Sequence, residues 1–282
     1  MPVLRVELLG PARMSFDGVL YPYKAPPKCL PLLGYLLLHR ETAVSREALA
    51  YSMWADDTEQ EARANLRRHL HRLARALPNS GTDWVISDTT TVRWNSASTF
   101  TSDVDDFLQW SSESGRAEEA IRLYRGELLE GVYEDWVFPE RERFRALQIE
   151  NLNKLMRSAQ SDRAFDRAIG FAKELLALDP WRENTLRALM MLRQSQGDRA
   201  GAIAEYEAFA AHLQREMATA PMAETAGAYE ALLRNESLPE LQPADDVPRP
   251  APHRAPTLPF AGRDIELDRL SVPWGRAARR HG

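Results

Sequence analysis

Cys29 is the only cysteine among the 282 residues, so no intrachain disulfide can staple the fold. Set beside Leu30, Leu32 and Leu33, it reads as a buried structural thiol and not as a nucleophile. Long apolar runs are missing too. The longest, Leu30 to Leu38, is interrupted by Pro31 and Gly34 and falls short of the roughly 20 residues that span a bilayer. The chain does not open on a charged-then-apolar leader, so residence in the cytoplasm, away from membranes, is the expectation. No GxxxxGK(S/T) phosphate loop occurs, and nucleotide hydrolysis is not expected. Catalytic constellations are equally scarce. The acidic cluster Asp103/Asp105/Asp106 has no paired histidine or metal-ligand spacing and reads as a domain junction with an N-cap. His69 and His71, at i and i+2 on a helix, point about 200° apart and cannot share an ion. No catalytic residue, metal or cofactor is expected.

What is present is an ordinary globular balance, 44% hydrophobic and 27% charged, over a length that accommodates two cores. The net charge of -5 is unevenly placed. Residues 1–100 hold 12 Lys and Arg against 10 Asp and Glu, a net of +2; the remainder holds 24 against 31, a net of -7. A mildly basic front suits a small nucleic-acid-binding module, and an acidic rear suits protein partners.

The front third alternates between strands and helices. Leu4, Val6 and Leu8 alternate with Arg5 and Glu7 as a half-buried strand, and Met14 and Phe16 continue to an Asp17-Gly18 hairpin turn. Lys28 to Arg40 predicts a helix that is apolar on most of its surface. Ser45 is an N-cap for a short helix from Arg46 to Trp54. The most informative segment follows, from Thr58 to Leu77. It opens on a Thr58/Glu61 capping box and stops at Pro78. Ala62, Leu66, Leu70, Leu73 and Leu77 form one apolar stripe. The opposite face carries Ala64, Arg68, His71, Arg72 and Arg75, with Arg67 and Asn65 on its flanks. Arginines to meet phosphates and guanine edges, with an amide for adenine, are what a major-groove helix requires. Trp84-Val85-Ile86 and Val92-Arg93-Trp94 then predict a two-stranded ribbon. Strands, helix, helix, basic helix and ribbon is the layout of a winged helix. Ser45 and Arg46, at a helix N-terminus, would face phosphates, and Arg93 with the Thr89–Thr91 hydroxyls would reach the adjacent backbone.

The middle of the chain repeats. Ala168-Ile169 recurs as Ala202-Ile203, 34 residues later, and a related Ala120-Ile121 precedes them. A longer helix around Pro139 to Gln160 interrupts the array. A 34-residue period, with a small residue at the helix crossing and an aromatic four positions on (Tyr206), is the tetratricopeptide pattern. Alanine lets neighbouring helices approach closely. The aromatics Trp110, Tyr124, Trp136, Phe144, Trp181, Tyr206, Phe209 and Tyr229 stand at helical spacing and are expected in the core.

Several local matches, in order, carry a family resemblance. They include Leu8-Leu9-Gly10, Ser45-Arg46-Glu47-Ala48-Leu49 running to Met53-Trp54, and Ala62-Arg63-Ala64-Asn65-Leu66. Ser102-Asp103-Val104-Asp105-Asp106-Phe107 and Asp179-Pro180-Trp181-Arg182-Glu183-Asn184 follow, and Gly197-Asp198-Arg199 closes the set. Together they resemble the SARP-type antibiotic regulatory proteins: an OmpR-like winged-helix domain (1–95) followed by a bacterial transcriptional activator domain (96–236). The fold expected is mainly α, a winged helix (α+β) and then an all-α tetratricopeptide-like domain. The resemblance implies a transcriptional activator that binds double-stranded promoter DNA, contacts RNA polymerase, and works as a homodimer on DNA. It makes 59–77 the recognition helix, with Ala64, Asn65, Arg68, His71 and Arg72 as base-reading candidates. Ser45, Arg46, Arg67, Arg75 and Arg93 are the phosphate candidates. His69 and His71 depart from the family pattern, so no base preference carries over. A protein-binding repeat adaptor whose winged helix does not bind DNA is the alternative.

The stretch 237–259 is a proline-rich linker, and 260–282, beginning Phe260-Ala261-Gly262-Arg263, resembles the start of a signal-transduction NTPase domain, expected here as a disordered stub.

Overall fold

A computed structural model describes residues 3–238; the linker from residue 239 onward and the NTPase-like stub lie outside the described residues. The front of the molecule is mixed α/β and winged-helix-like. Strands β1 (Leu4–Glu7), β2 (Arg13–Phe16) and β3 (Val19–Leu20) form an antiparallel meander. Asp17 and Gly18 turn the β2–β3 hairpin with φ of 50° and 78°, the left-handed pair that a two-residue hairpin with native twist demands. Helices α1 (Cys29–Leu38), α2 (Arg46–Met53) and α3 (Glu59–Ala76) follow, with the two-residue strand β4 (Val44–Ser45) between the first two. The ribbon is β5 (Val85–Ser87) and β6 (Thr91–Trp94), and β4 joins it in the order β4-β6-β5.

One pairing was not foreseen. Strand β7 (Phe100–Ser102) returns to lie parallel to β1, giving a four-stranded sheet in the order β3-β2-β1-β7. It carries the chain straight into the helical region: α4 (Asp103–Ser112), α5 (Ala117–Leu123), α6 (Val137–Ser161), α7 (Phe165–Leu178), α8 (Glu183–Ser195), α9 (Arg199–Met217) and α10 (Ala223–Leu233). From α6 to α10 each helix packs on the next. Ala168 and Ala202, the small residues of the 34-residue period, are fully buried, as close helix crossing requires.

The core does not stop at the end of the winged-helix region. One apolar cluster runs from Leu4 through the α1 and α3 leucines to Val104, Phe107, Leu128, Leu129 and Phe144. Helix α6 contributes to this cluster with Val137 and Phe144, and to a second cluster with Leu152, Met156 and Ala159. A methyl group at Gly34 of α1 would lie 2.6 Å from Leu129 Cδ1, so any larger residue there would force the Leu129 side chain to shift. The Arg141 guanidinium fixes the facing loop by donating to the carbonyls of Leu128, Leu129 and Val132 at 2.6–2.8 Å.

The acidic junction is also internal. Ser102 caps α4, and the Asp103 carboxylate accepts the Leu8 and Leu9 amides at 2.8 and 2.9 Å. Burial pushes its pKa up, against those two hydrogen bonds and Arg125. Asp105 and Asp106 pair with Arg40 and Arg5.

One expectation is corrected. Trp181 is not in the core: it is 39% exposed and stacks face to face on His212 at 4.8 Å. It precedes α8 in the turn after Asp179-Pro180, outside the helical period that placed it inside. Phe144 and Phe209 are buried, and the remaining aromatics of that set are half-buried at the core's edge. Among the described residues, no helix is long and apolar enough to cross a membrane.

Asp103→Ala would strand two buried amides. It should lower unfolding free energy by about 2–4 kcal/mol in urea titrations, whereas Asp106→Ala, at a half-exposed pair, should cost less than about 1 kcal/mol.

Candidate nucleic-acid interface

Helix α3 is built to expose one face. Thr58 Oγ1 accepts from the Glu61 amide at 3.4 Å, and Glu61 Oε2 accepts from the Thr58 amide at 3.2 Å and its hydroxyl at 2.6 Å. That reciprocal cap fixes the start of the helix. Ala62, Leu66, Leu70, Leu73 and Leu77 are all buried, so the rotational setting of α3 follows from the stripe. Arg67, Arg68, His71, Arg72 and Arg75 are consequently exposed, and Ala64 is half-buried among them. Glu59 and Glu61 in the first turn and Arg75 in the last both suit the helix dipole.

Several arginines elsewhere in the molecule are engaged internally. Arg5, Arg40, Arg125, Arg141 and Arg193 are held by carboxylates or carbonyls. Among the described residues, Arg67, Arg68, Arg72 and Arg75 of α3 form no hydrogen bond or ion pair. A row of four such cations on one helix is an anion-facing surface.

An open cleft of about 1070 Å³ lies along one edge of this surface. The N-terminus of α2 (Ser45, Arg46), the first half of α3 (Ala64, Arg67) and the ribbon tip (Thr89, Thr90) converge on it. Arg68, His71, Arg72 and Arg75 continue the exposed face outside it. Arg93 is exposed on β6, paired across the ribbon with Ile86. Arg46 is already engaged, donating to Ser87 Oγ and, at 3.4 Å, to the Asp88 carbonyl, which ties α2 to the ribbon. Ser45 Oγ accepts from the Ala48 amide and caps α2. Asn65 is turned aside, with its amide donating to Asp57 Oδ2 at 2.7 Å. His69 packs on Trp54 with ring centroids 5.1 Å apart, a structural role that separates it from exposed His71. Cys29 is buried, burial raises its thiol pKa, and it donates to the His69 carbonyl.

Sequence reasoning passed over four residues on the cleft: Glu47, Glu59, Gln60 and Arg63. Arg63 is held by Glu59 at 2.5 Å and Glu47 at 3.8 Å. The signal was available, since Gln60, Arg63 or Ala64, and Arg67 recur at helical spacing.

The ribbon tip has its own clasp. Asp88 accepts the Thr90 and Thr91 amides, each at 2.7 Å, and both hydroxyls. Those bonds hold its carboxyl well below the usual range, and hydrogen bonds from Thr58 lower that of Glu61.

Residues 108–233 match the family model of the bacterial transcriptional activator domain. That segment places a bacterial transcriptional activator domain behind the winged-helix-like front. The chain is 25% identical over 257 residues to the transcriptional regulatory protein MoaR1 of Mycobacterium tuberculosis, covering 84% of this chain and 82% of that one. MoaR1 of Mycobacterium bovis matches to the same extent. Among solved structures, Mycobacterium tuberculosis EmbR in complex with a low-affinity phosphopeptide superposes with a TM-score of 0.64 at 20% identity. That match covers 85% of this chain and 67% of EmbR and shows a common fold. Among the described residues, no group of three or more His, Cys, Asp or Glu is placed to hold a metal ion.

Both lowered carboxylates contribute stability that is complete above the ordinary carboxylate range and is lost as pH falls through their lowered values. In acid titrations followed by NMR, the Thr90 and Thr91 amides should shift only at unusually low pH. Asp88→Asn should abolish that transition while leaving the Thr58 and Glu61 amides unchanged.

Proposed function

We propose that this regulator is a sequence-specific activator that reads promoter DNA with α3 in the major groove and the β5–β6 ribbon against the adjacent backbone. The activator-domain match and the likeness to the transcriptional regulatory protein MoaR1 support the DNA-binding class. The observation that carries the site is the row of α3 arginines whose side chains have no hydrogen-bond or ion-pair partner among the described residues, flanked by an open cleft of about 1070 Å³. In this reading Ala64, Arg68, His71 and Arg72 face base edges. Asn65 joins them by exchanging Asp57 for an adenine, and Arg67, Arg75, Arg93, Ser45 and Arg46 set the register on phosphates. Residues 1–95 carry the reading function. Residues 96–236 supply contact to RNA polymerase and to a second copy on DNA, and the protein works in the cytoplasm.

The test is selection from a random double-stranded library by the full 282-residue protein. Enrichment of one motif supports the reading; no enrichment overturns it in favour of a protein-binding adaptor. On the selected duplex, Arg68→Ala and Arg72→Ala should each cost about 1–3 kcal/mol and relax preference at one position. Arg67→Ala should weaken all sequences alike and lower the salt slope by about one.

A further inference from the structure

A second cleft, of about 600 Å³, lies where the α2–α3 turn meets the loop that leads into α6. Trp54 and Asp57 stand on one side, Tyr133 and Glu134 on the other, and Lys28 between them. The Lys28 ammonium donates to the Met53 carbonyl at 3.0 Å and to Glu134 Oε2 at 2.8 Å. These acceptors belong to different parts of the molecule. Met53 is the last residue of α2, whereas Glu134 lies inside the segment that matches the activator domain. A helix C-terminus and a carboxylate are both negative, and a flexible ammonium with three donors satisfies the two at once. The turn on this side of the cleft is also what holds α3, through Trp54 against His69 and Asp57 against Asn65. A continuous run of contacts therefore leads from the activator-domain loop to the half of α3 that borders the first cleft.

On the DNA-reading function above, we propose that Lys28 is a positioning residue for DNA recognition, transmitting the placement of the 131–135 loop to the N-terminal half of α3. Its side chain is 39% exposed and that of Glu134 18%. Lys28 is partly solvated but Glu134 is largely enclosed, so Tm is read beside exchange to separate an effect on α3 from unfolding. Loss of Glu134 removes the carboxylate that anchors the ammonium over the α2 terminus, and the turn that sets α3 relaxes. The consequence is regulatory: anything that moves the 131–135 loop alters the angle at which Ala64, Arg67 and Arg68 are presented.

The experiment compares the full-length protein with K28M, K28R and E134Q. Affinity for the selected duplex and for a scrambled duplex is read by fluorescence anisotropy. Hydrogen exchange at residues 59–69 is read without DNA, and Tm is recorded for each variant. K28M and E134Q should each lose about three- to ten-fold in affinity for the selected duplex, with little change on the scrambled one. Amide exchange in α3 should quicken while Tm stays near that of the unaltered protein, and K28R should recover most of the loss. Unchanged affinity and exchange in E134Q overturns the proposal, even if K28M fails to fold. If the unaltered protein selects no duplex, the DNA reading fails on its own. Faster α3 exchange in E134Q would then still support the coupling, and unchanged exchange would end it.

Discussion

Helix α1 has almost no solvent face, and the molecule is arranged around that fact. Eight of its ten residues, Cys29 and Pro31 to Leu37, are buried. A helix apolar on all sides must be enclosed. Here α3 packs on it, β6 touches it, and the loop of residues 128–136 closes the remainder through Leu129 on Gly34 and Trp136 on Tyr35. Each leucine removed from water contributes about 1.5–3 kcal/mol. The enclosure therefore ties the winged-helix and activator portions together. The outward aspect of α3 is a by-product of the same packing, since burying its leucines against α1 leaves no other direction for its arginines.

Much of this was legible in the residue order, because the relevant signals are local. The Thr58/Glu61 cap, the leucine stripe and the terminating Pro78 lie within about twenty residues, and α3 formed within a residue of its expected bounds. The 34-residue recurrence of Ala168 and Ala202 predicted two close helix crossings for the same reason. What escaped was long-range. Strand β7 is short and pairs with β1, almost a hundred residues earlier, so nothing in its own three residues declares a partner. The Leu128–Val132 loop offers no periodic pattern, and its placement depends on the buried Arg141 guanidinium.

The candidate site divides along the same line. The exposure of Arg68, His71, Arg72 and Arg75 follows from helix phase alone and could be read directly. The detention of Asn65 by Asp57, of Arg46 by the ribbon and of Arg63 by two glutamates depends on partners that only tertiary packing supplies. These tethers also mean that the free protein does not present a uniformly basic groove. Glu47 and Glu59 stand beside the arginines and would meet approaching phosphates with like charge. Such groups cost affinity for polyanions in general and penalise any docking that does not turn the carboxylates away.

Helix α6 belongs to two cores: its N-terminal half packs with the winged-helix cluster and its C-terminal half with the repeat helices. At 25 residues it is a rod of about 37 Å in which every residue advances the helix by about 100°. A single residue inserted or lost near its middle would swing the entire repeat array around the rod, whatever the chemistry of the added side chain. The azimuth of the array relative to the arginine face is thus encoded as an integer, the number of residues between Phe144 and Leu152.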